Sequence, residues 1–242
     1  MLLNHRSGLR NYAYFTDRND GVWDRHKRLT NQDILTLLAT KNIGLESRTN
    51  TRFAYCNTNY AMLALIIEKI TKKSYKEAMS EMIFKPLGMK NTFVFDYEKD
   101  KDRIVPSYKA NRVEIGKDYL DKVYGDKNIY STVRDLLKFD RARNKPSFLE
   151  PSLLKQVYMG YSNERKGKKN YGLGIRMVNW ETGQNFYFHN GWWHGNTSAY
   201  ITLQKEQVTI IALSNKMNKS TYNVKKLAPL FGDYPFETDT EE

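Results

Sequence analysis

Near Lys168 the spacing of apolar residues changes period, and no single kind of secondary structure can satisfy both sides of that change. Upstream, apolar residues recur at three and four, as in Met62, Leu65, Ile66 and Ile70, then Ala78, Met79, Met82 and Ile83, which is the stripe of amphipathic helices. Downstream, "YGLGIRMVNW", "QNFYFHNG", "NTSAYITLQ" and "QVTIIALSN" are short runs rich in aromatic and β-branched residues, separated by turn formers such as "ETGQ" and "KEQ". The chain is therefore expected to fold as an α+β protein. About 10–165 would form a mainly helical region and about 166–242 an antiparallel sheet, in one domain.

Helix starts are marked by Ser/Thr-x-x-acid pairs, in which side chain and backbone cap each other: Thr30 with Asp33, Ser74 with Glu77, and Thr132 with Asp135. "KPLGM" stops the second of these helices, because Pro86 cannot donate and Gly88 tolerates a left-handed turn. Asn91 to Lys127 reads as polar, irregular chain wrapping the surface. A last helix from about Ser220 to Phe231 is expected to flank the sheet. There is no internal repeat and no low-complexity linker.

Composition narrows the function classes. The formal charge of +12, from 39 basic and 27 acidic residues, is spread over runs such as "KITKKSYK", "NERKGKKN" and "NKMNKSTYNVKK". No groove-reading helix, zinc module or aromatic RNP-type strand accompanies it, so no nucleic-acid partner is expected, and an anionic polymer fits the charge equally well. The longest apolar stretch, Tyr60 to Ile67, is too short to cross a bilayer as a helix, and the first residues lack the pattern of a secretory signal. Cys56 is the single cysteine, which excludes an internal disulfide. No Cys/His cluster has zinc spacing, so neither metal nor cofactor is implied.

"FAYCNTNYAMLALIIEKI", from Phe53 to Ile70, places polar groups directly before an apolar helix. Asn57 or Thr58 can serve as a cap for the first turn, and Tyr55 can serve either as a packing aromatic or as a catalytic phenol. Cys56, between them, reads as a small packing residue. Trp192 and Trp193 are adjacent indoles on an expected loop. Either they wall a cleft, or one buries into the sheet while the other lies flat.

"LLNHRSGL" at Leu2 to Leu9, "YCNTNYAMLALIIEKITKKSYKEAMSEMIFKPLGM", "IYSTVRDLLKF", "YGLGI" and "HNGWWHGNTSAY" occur in the order seen in serine β-lactamase-like proteins. The chain resembles that family over nearly its whole length, in particular its class C β-lactamase, penicillin-binding, D-Ala-D-Ala carboxypeptidase and esterase members. The resemblance implies a β-lactamase-like fold, acyl transfer through a serine, and a periplasmic or cell-envelope setting. The family's chemistry uses S-x-x-K, a Y-x-N motif, and a K-T-G or H-x-G strand. By that resemblance Tyr55 is the phenolic base or proton relay, and Asn57 bonds the acyl side of the substrate. His189 stands where the family has lysine, as a protonated neighbour to the phenol. Gly191 lets a substrate backbone approach, the Trp192 N–H faces the oxyanion, and Trp193 lines the same place. Tyr55 and His189 are expected to converge on one pocket.

In the family S-x-x-K precedes the "LLNHRSGL" stretch, which here begins at Leu2, so the fold is expected to be incomplete at its N-terminus and the nucleophile absent. The sole S-x-x-K, Ser152 to Lys155, follows Tyr55 and reads as a helix start with Pro151 at its first position. His5 and Ser7 are expected to be structural, with Ser7 and Gly8 shaping a turn, and His26 to be exposed. His189 and His194 flank Gly191 without a metal-helix pattern. The expected function is a serine hydrolase of a D-Ala peptide, a β-lactam or a small ester, with H-x-G favouring peptidase or esterase over lactamase. The substrate would be a small molecule or peptidoglycan-like, and the alternative is a non-catalytic, truncated relative that binds a cell-wall fragment or a protein partner. Residues 207–214 are expected to be a naked apolar edge through which the chain self-associates.

Overall fold

A computed structural model describes residues 1–17, 22–164 and 167–236. The backbone divides into two compact units, Met1–Val105 with Gly116–Phe139, and Pro106–Ile115 with Asp140–Glu242. The change expected at 165–166 falls on Arg165 and Lys166, outside the described residues.

In the first unit the helices begin where the capping pattern places them. After α1 (Tyr12–Phe15), α2 (Asn31–Thr40) opens on a complete capping box. The Thr30 side chain accepts from the Asp33 N–H, and the Asp33 carboxylate accepts from the Thr30 N–H. Following α3 (Asn57–Thr71), α4 (Tyr75–Met79) opens on the second box, Ser74 with Glu77. The regular helix expected to run to Ile83 instead widens into a π turn over Ser80–Phe84 before Gly88 takes a φ of 65°. Ala64, Tyr75, Phe84, Met89 and Val94 are buried together, with Ile67 packed against them.

The third pair departs from the pattern. Thr132 Oγ1 accepts from the Asp135 N–H at 3.2 Å, ahead of α5 (Val133–Arg143). The buried Asp135 carboxylate, however, accepts from the Asn91 N–H at 2.7 Å, Thr92 Oγ1 at 3.1 Å and Lys138 Nζ at 2.8 Å. It thereby ties the helix to the chain just before β1 (Phe93–Val94), which pairs antiparallel with β2 (Ile129–Tyr130). These bonds hold its pKa below the ordinary carboxylate range despite the opposing effect of burial. Nor does 91–127 lie wholly on the surface. Leu120 and Val123 are core residues, brought in where the Leu29 N–H donates to Tyr119 O at 2.8 Å.

The second unit holds α6 (Pro151–Val157) and a five-stranded antiparallel meander, β3 (Lys169–Tyr171), β4 (Arg176–Asn179), β5 (Asn185–Trp193), β6 (Asn196–Leu203) and β7 (Val208–Ser214). Four apolar runs yield five strands because "YGLGI" is itself a turn, closed by the Gly172 N–H to Ile175 O at 2.8 Å, with Gly174 at a φ of 76°. Successive side chains alternate between two faces. Phe186, Ile201 and Leu203 pack with Ala228 and Tyr234, while Met177 and Tyr187 pack with Ile175 against Val157 and Tyr158. The flanking helix, Lys219–Leu230, winds as a 3₁₀ helix and contains Pro229. Residues 106–115 join this unit because Tyr108 bridges Lys216 in parallel and Glu114 antiparallel.

Candidate functional site

Tyr55 and Asn57 belong to the first unit, His189, Gly191, Trp192 and Trp193 to the second, and each group is built by its own surroundings.

The front of α3 is set by the segment Asn4–Tyr12. His5 adopts a φ of 54°; its Nδ1 accepts from the Cys56 N–H at 3.1 Å and lies 3.3 Å from Asn59 Nδ2. Ser7 Oγ donates to Asn59 Oδ1 at 2.5 Å, and the Leu9 N–H donates back to Ser7 Oγ at 3.1 Å. Gly8, at a φ of 79°, passes so near the Ser47 carbonyl that a Cβ would lie 2.1 Å from its oxygen. His5 and Ser7 are therefore structural, as expected.

The cap expected from Asn57 or Thr58 does not form. Cys56 is the N-cap and makes no side-chain cap bond, and Thr58 is engaged elsewhere: its Oγ1 accepts from the Tyr12 N–H at 2.8 Å and donates to Arg10 O at 2.7 Å. Cys56 is a buried free thiol, and burial raises its pKa, consistent with a packing role. Tyr55 is 41% exposed, with its ring 4.2 Å from that of buried His5. Asn57, at the first position of α3, is half-buried.

Beneath this helix start lies a charged cluster that sequence reasoning missed. Tyr12 OH donates to Asp126 Oδ2 at 2.6 Å, and Lys127 Nζ bonds both that carboxylate and the Tyr12 hydroxyl. The Lys127 and Asp126 side chains are 7% and 3% exposed. Burial pushes the lysine below and the phenol well above their ordinary ranges. Asp126 Oδ1 is buried without a hydrogen-bond partner among the described residues. An "Asp-Lys" dipeptide in a polar stretch gives no signal of this. Gly125 alone hints at it, since its φ of 97° lets the loop pass close to Tyr60 O.

In the second unit, β4 pairs with β5 only as far as Phe188, while β6 pairs with it as far as Trp193. Residues 189–193 thus have a strand neighbour on the β6 side alone among the described residues. His189, Gly191 and Trp193 point to one face, and Asn190 and Trp192 to the other. Gly191 sits opposite Ser198, and a Cβ there would lie 2.3 Å from Ser198 Oγ; its carbonyl accepts from Tyr222 OH at 3.1 Å. The two tryptophans lie on the strand and not on a loop, because the turn is the two-residue His194-Gly195, both at positive φ. Trp192 is 58% exposed, and Trp193 is half-buried beside the His194 ring.

His189 is part-buried. Its Nδ1 lies 2.9 Å from Asn190 O and its Nε2 3.3 Å from Tyr171 OH. Burial pushes the imidazole below its ordinary range and Arg176 adds to this, while the Asn190 carbonyl opposes it. The positive charge expected of His189 is thus disfavoured by its surroundings. Tyr200, directly across on β6, donates to Asp140 Oδ1 at 2.6 Å. Arg143 pairs with the same carboxylate at 2.9 Å and donates to Tyr158 OH at 2.7 Å and to Thr202 Oγ1.

Comparison with known proteins agrees with this architecture. Penicillin-binding protein 4* of Bacillus subtilis is 29% identical over 236 residues, which cover 91% of this chain and 52% of that protein. The teichoic acid D-alanine hydrolase of Staphylococcus aureus is 29% identical over 140 residues, 57% of this chain and 32% of the relative. The chain thus spans about half the first relative's length and a third of the second's. A penicillin-binding protein from Bacillus halodurans superimposes with a TM-score of 0.77, covering 96% of this chain and 71% of that one at 17% identity, a likeness of fold. The family model described as Beta-lactamase matches residues 1–228, and the chain belongs to the β-lactamase family.

Proposed function

We propose that this chain carries the acid–base and strand-edge elements of a serine acyl-hydrolase acting on an amide or ester, with D-alanyl esters or amides as the substrate class. The observation that carries the reading is the Tyr55-x-Asn57 pair at the start of α3, its phenol exposed and its backbone pinned by buried His5, in a chain of this family. Tyr55 would relay the proton of the attacking hydroxyl, and Asn57 would hydrogen-bond the acyl group. On the second unit the edge of β5 offers backbone groups to a substrate, with His189 and Gly191 on it and Trp192 and Trp193 beside them. The name of the Staphylococcus relative supports the D-alanyl class.

No residue among the 242 is assigned as nucleophile. Ser152 of the S-x-x-K stands in the first turn of α6, with Pro151 at its first position. A fluorophosphonate probe tests the reading. The 242-residue chain alone is expected to stay unlabelled, and the same chain supplied with an S-x-x-K segment ahead of Leu2 to be labelled and to hydrolyse a D-alanyl ester. There Tyr55→Phe should slow turnover by about 10²-fold or more. Labelling of the 242 residues, or full activity of Tyr55→Phe, overturns it.

The single-domain reading is retained in this proposal, as is association through β7, an edge strand with Leu213 exposed. A monomer by light scattering that also unfolds reversibly at high temperature would count against that association.

A further inference from the structure

The contacts at the two ring nitrogens of His189 restrict the state of the imidazole. Asn190 O lies 2.9 Å from Nδ1, and a carbonyl can only accept, so that contact is a hydrogen bond only when Nδ1 carries a proton. Tyr171 OH lies 3.3 Å from Nε2, with its ring edge-on to the imidazole at 6.2 Å. A hydroxyl can donate or accept, so it adapts to whatever the other nitrogen demands. Tyr200 stands directly opposite on β6, its hydroxyl anchored on Asp140. In a neutral ring the Asn190 contact claims the single proton for Nδ1. Nε2 then presents a lone pair, and the Tyr171 hydroxyl supplies the hydrogen.

We infer that Tyr171 is a positioning residue for His189, its phenol and the Asn190 carbonyl together fixing the ring as the neutral Nδ1–H tautomer with Nε2 as the acceptor. Tyr171 is suited to the task. It is a core residue, 2% exposed, on the last position of β3 immediately before the Gly172–Gly174 turn, so its ring has little freedom to leave. The inference deepens the hydrolase reading, because it changes what His189 contributes: a fixed lone pair at Nε2 rather than a positive charge.

The molecule carries its own control. His5 Nδ1 accepts from the Cys56 N–H, which requires the opposite tautomer, with the proton on Nε2, in a neutral ring. Long-range proton–nitrogen correlation spectra of the 242-residue chain at neutral pH separate the two forms for each of its four histidines. His189 is expected to show the Nδ1–H pattern and His5 the Nε2–H pattern. Tyr171→Phe, which keeps the ring and removes the hydroxyl, should move the His189 Nε2 resonance and leave that of His5 in place. Should Tyr171→Phe fail to fold, site-specific 3-fluorotyrosine at 171, a stronger donor, should shift Nε2 in the opposite sense. An Nε2–H pattern at His189 in the unsubstituted chain overturns the inference, as does an imidazole indifferent to both changes at 171. The spectra are blind to hydrolysis, so they can fail while the labelling experiment succeeds, and the reverse.

Discussion

Each unit holds a buried cluster of the same three chemical types, an aspartate, a cation and a tyrosine, one hydrogen bond or one strand register away from its candidate residues, yet the two clusters are built differently. In the first, Lys127 bonds Asp126 and Tyr12, and the Tyr12 N–H holds Thr58, next to Asn57. In the second, Arg143 bonds Asp140, Tyr158 and Thr202, and Tyr200, across the strand from His189, donates to Asp140. A guanidinium spreads its charge over a fork of donors and meets three partners at once. An ammonium is a point charge, and here one oxygen of its carboxylate is left unpartnered among the described residues. The fork cannot shed its charge, whereas the ammonium can.

That difference can be broken experimentally. Asp140→Ala leaves Arg143 charged and largely buried and strips Tyr200 of its acceptor, so unfolding in denaturant should show a loss of about 3–5 kcal/mol. Asp126→Ala removes the equivalent partner, but Lys127 can respond by releasing its proton, and the expected loss is about 2 kcal/mol. The sign of the pH dependence separates the cases. The folded-state pKa of Lys127 already lies below its ordinary value, so between the folded and unfolded values the unfolded chain binds more protons. The stability of Asp126→Ala should therefore rise with pH toward the ordinary lysine value of about 10.4. Asp140→Ala should show no such recovery, because a guanidinium keeps its charge across this range. Equal losses and parallel pH profiles would mean that the cation's identity does not matter.

The two units also differ in how far they could be read in advance. In the second, period-two patterning and turn residues suffice for a strand, so the meander, its edge and the positions of His189 and Gly191 were legible. The extra hairpin escaped because "YGLGI" looks like the interior of a strand until Gly174 takes its positive φ. In the first unit, local signals located the helix starts at Thr30 and Ser74, where cap and helix lie within three residues. What stayed hidden was every bond that spans the chain: Asp135 to Asn91, Tyr12 to Asp126, Thr58 to Tyr12. Tyr171 was hidden for the same reason, since nothing in its neighbours announces a histidine eighteen residues away. Patterning reports which face is buried; it does not report which buried polar group finds which partner.

The smallest expected effect probes the same divide between local and distant bonding within one motif. Thr30 and Thr132 both accept from the N–H three residues on, each at 3.2 Å. At Thr30 the motif is closed, with Asp33 accepting from the Thr30 N–H at 2.9 Å and from its hydroxyl at 2.6 Å. At Thr132 it is open, because the acid three residues on spends its oxygens on Asn91, Thr92 and Lys138. Thr30→Ala removes a cap and a partner of Asp33 together and should lower stability by about 1 kcal/mol. Thr132→Ala removes the cap bond alone, leaves the Asp135 anchorage intact, and should cost about half as much. Urea midpoints of the two variants decide the matter. If Thr132→Ala proves the costlier, then its hydroxyl supports the distant anchorage of Asp135 as well as the helix start, and the open motif is as cooperative as the closed one.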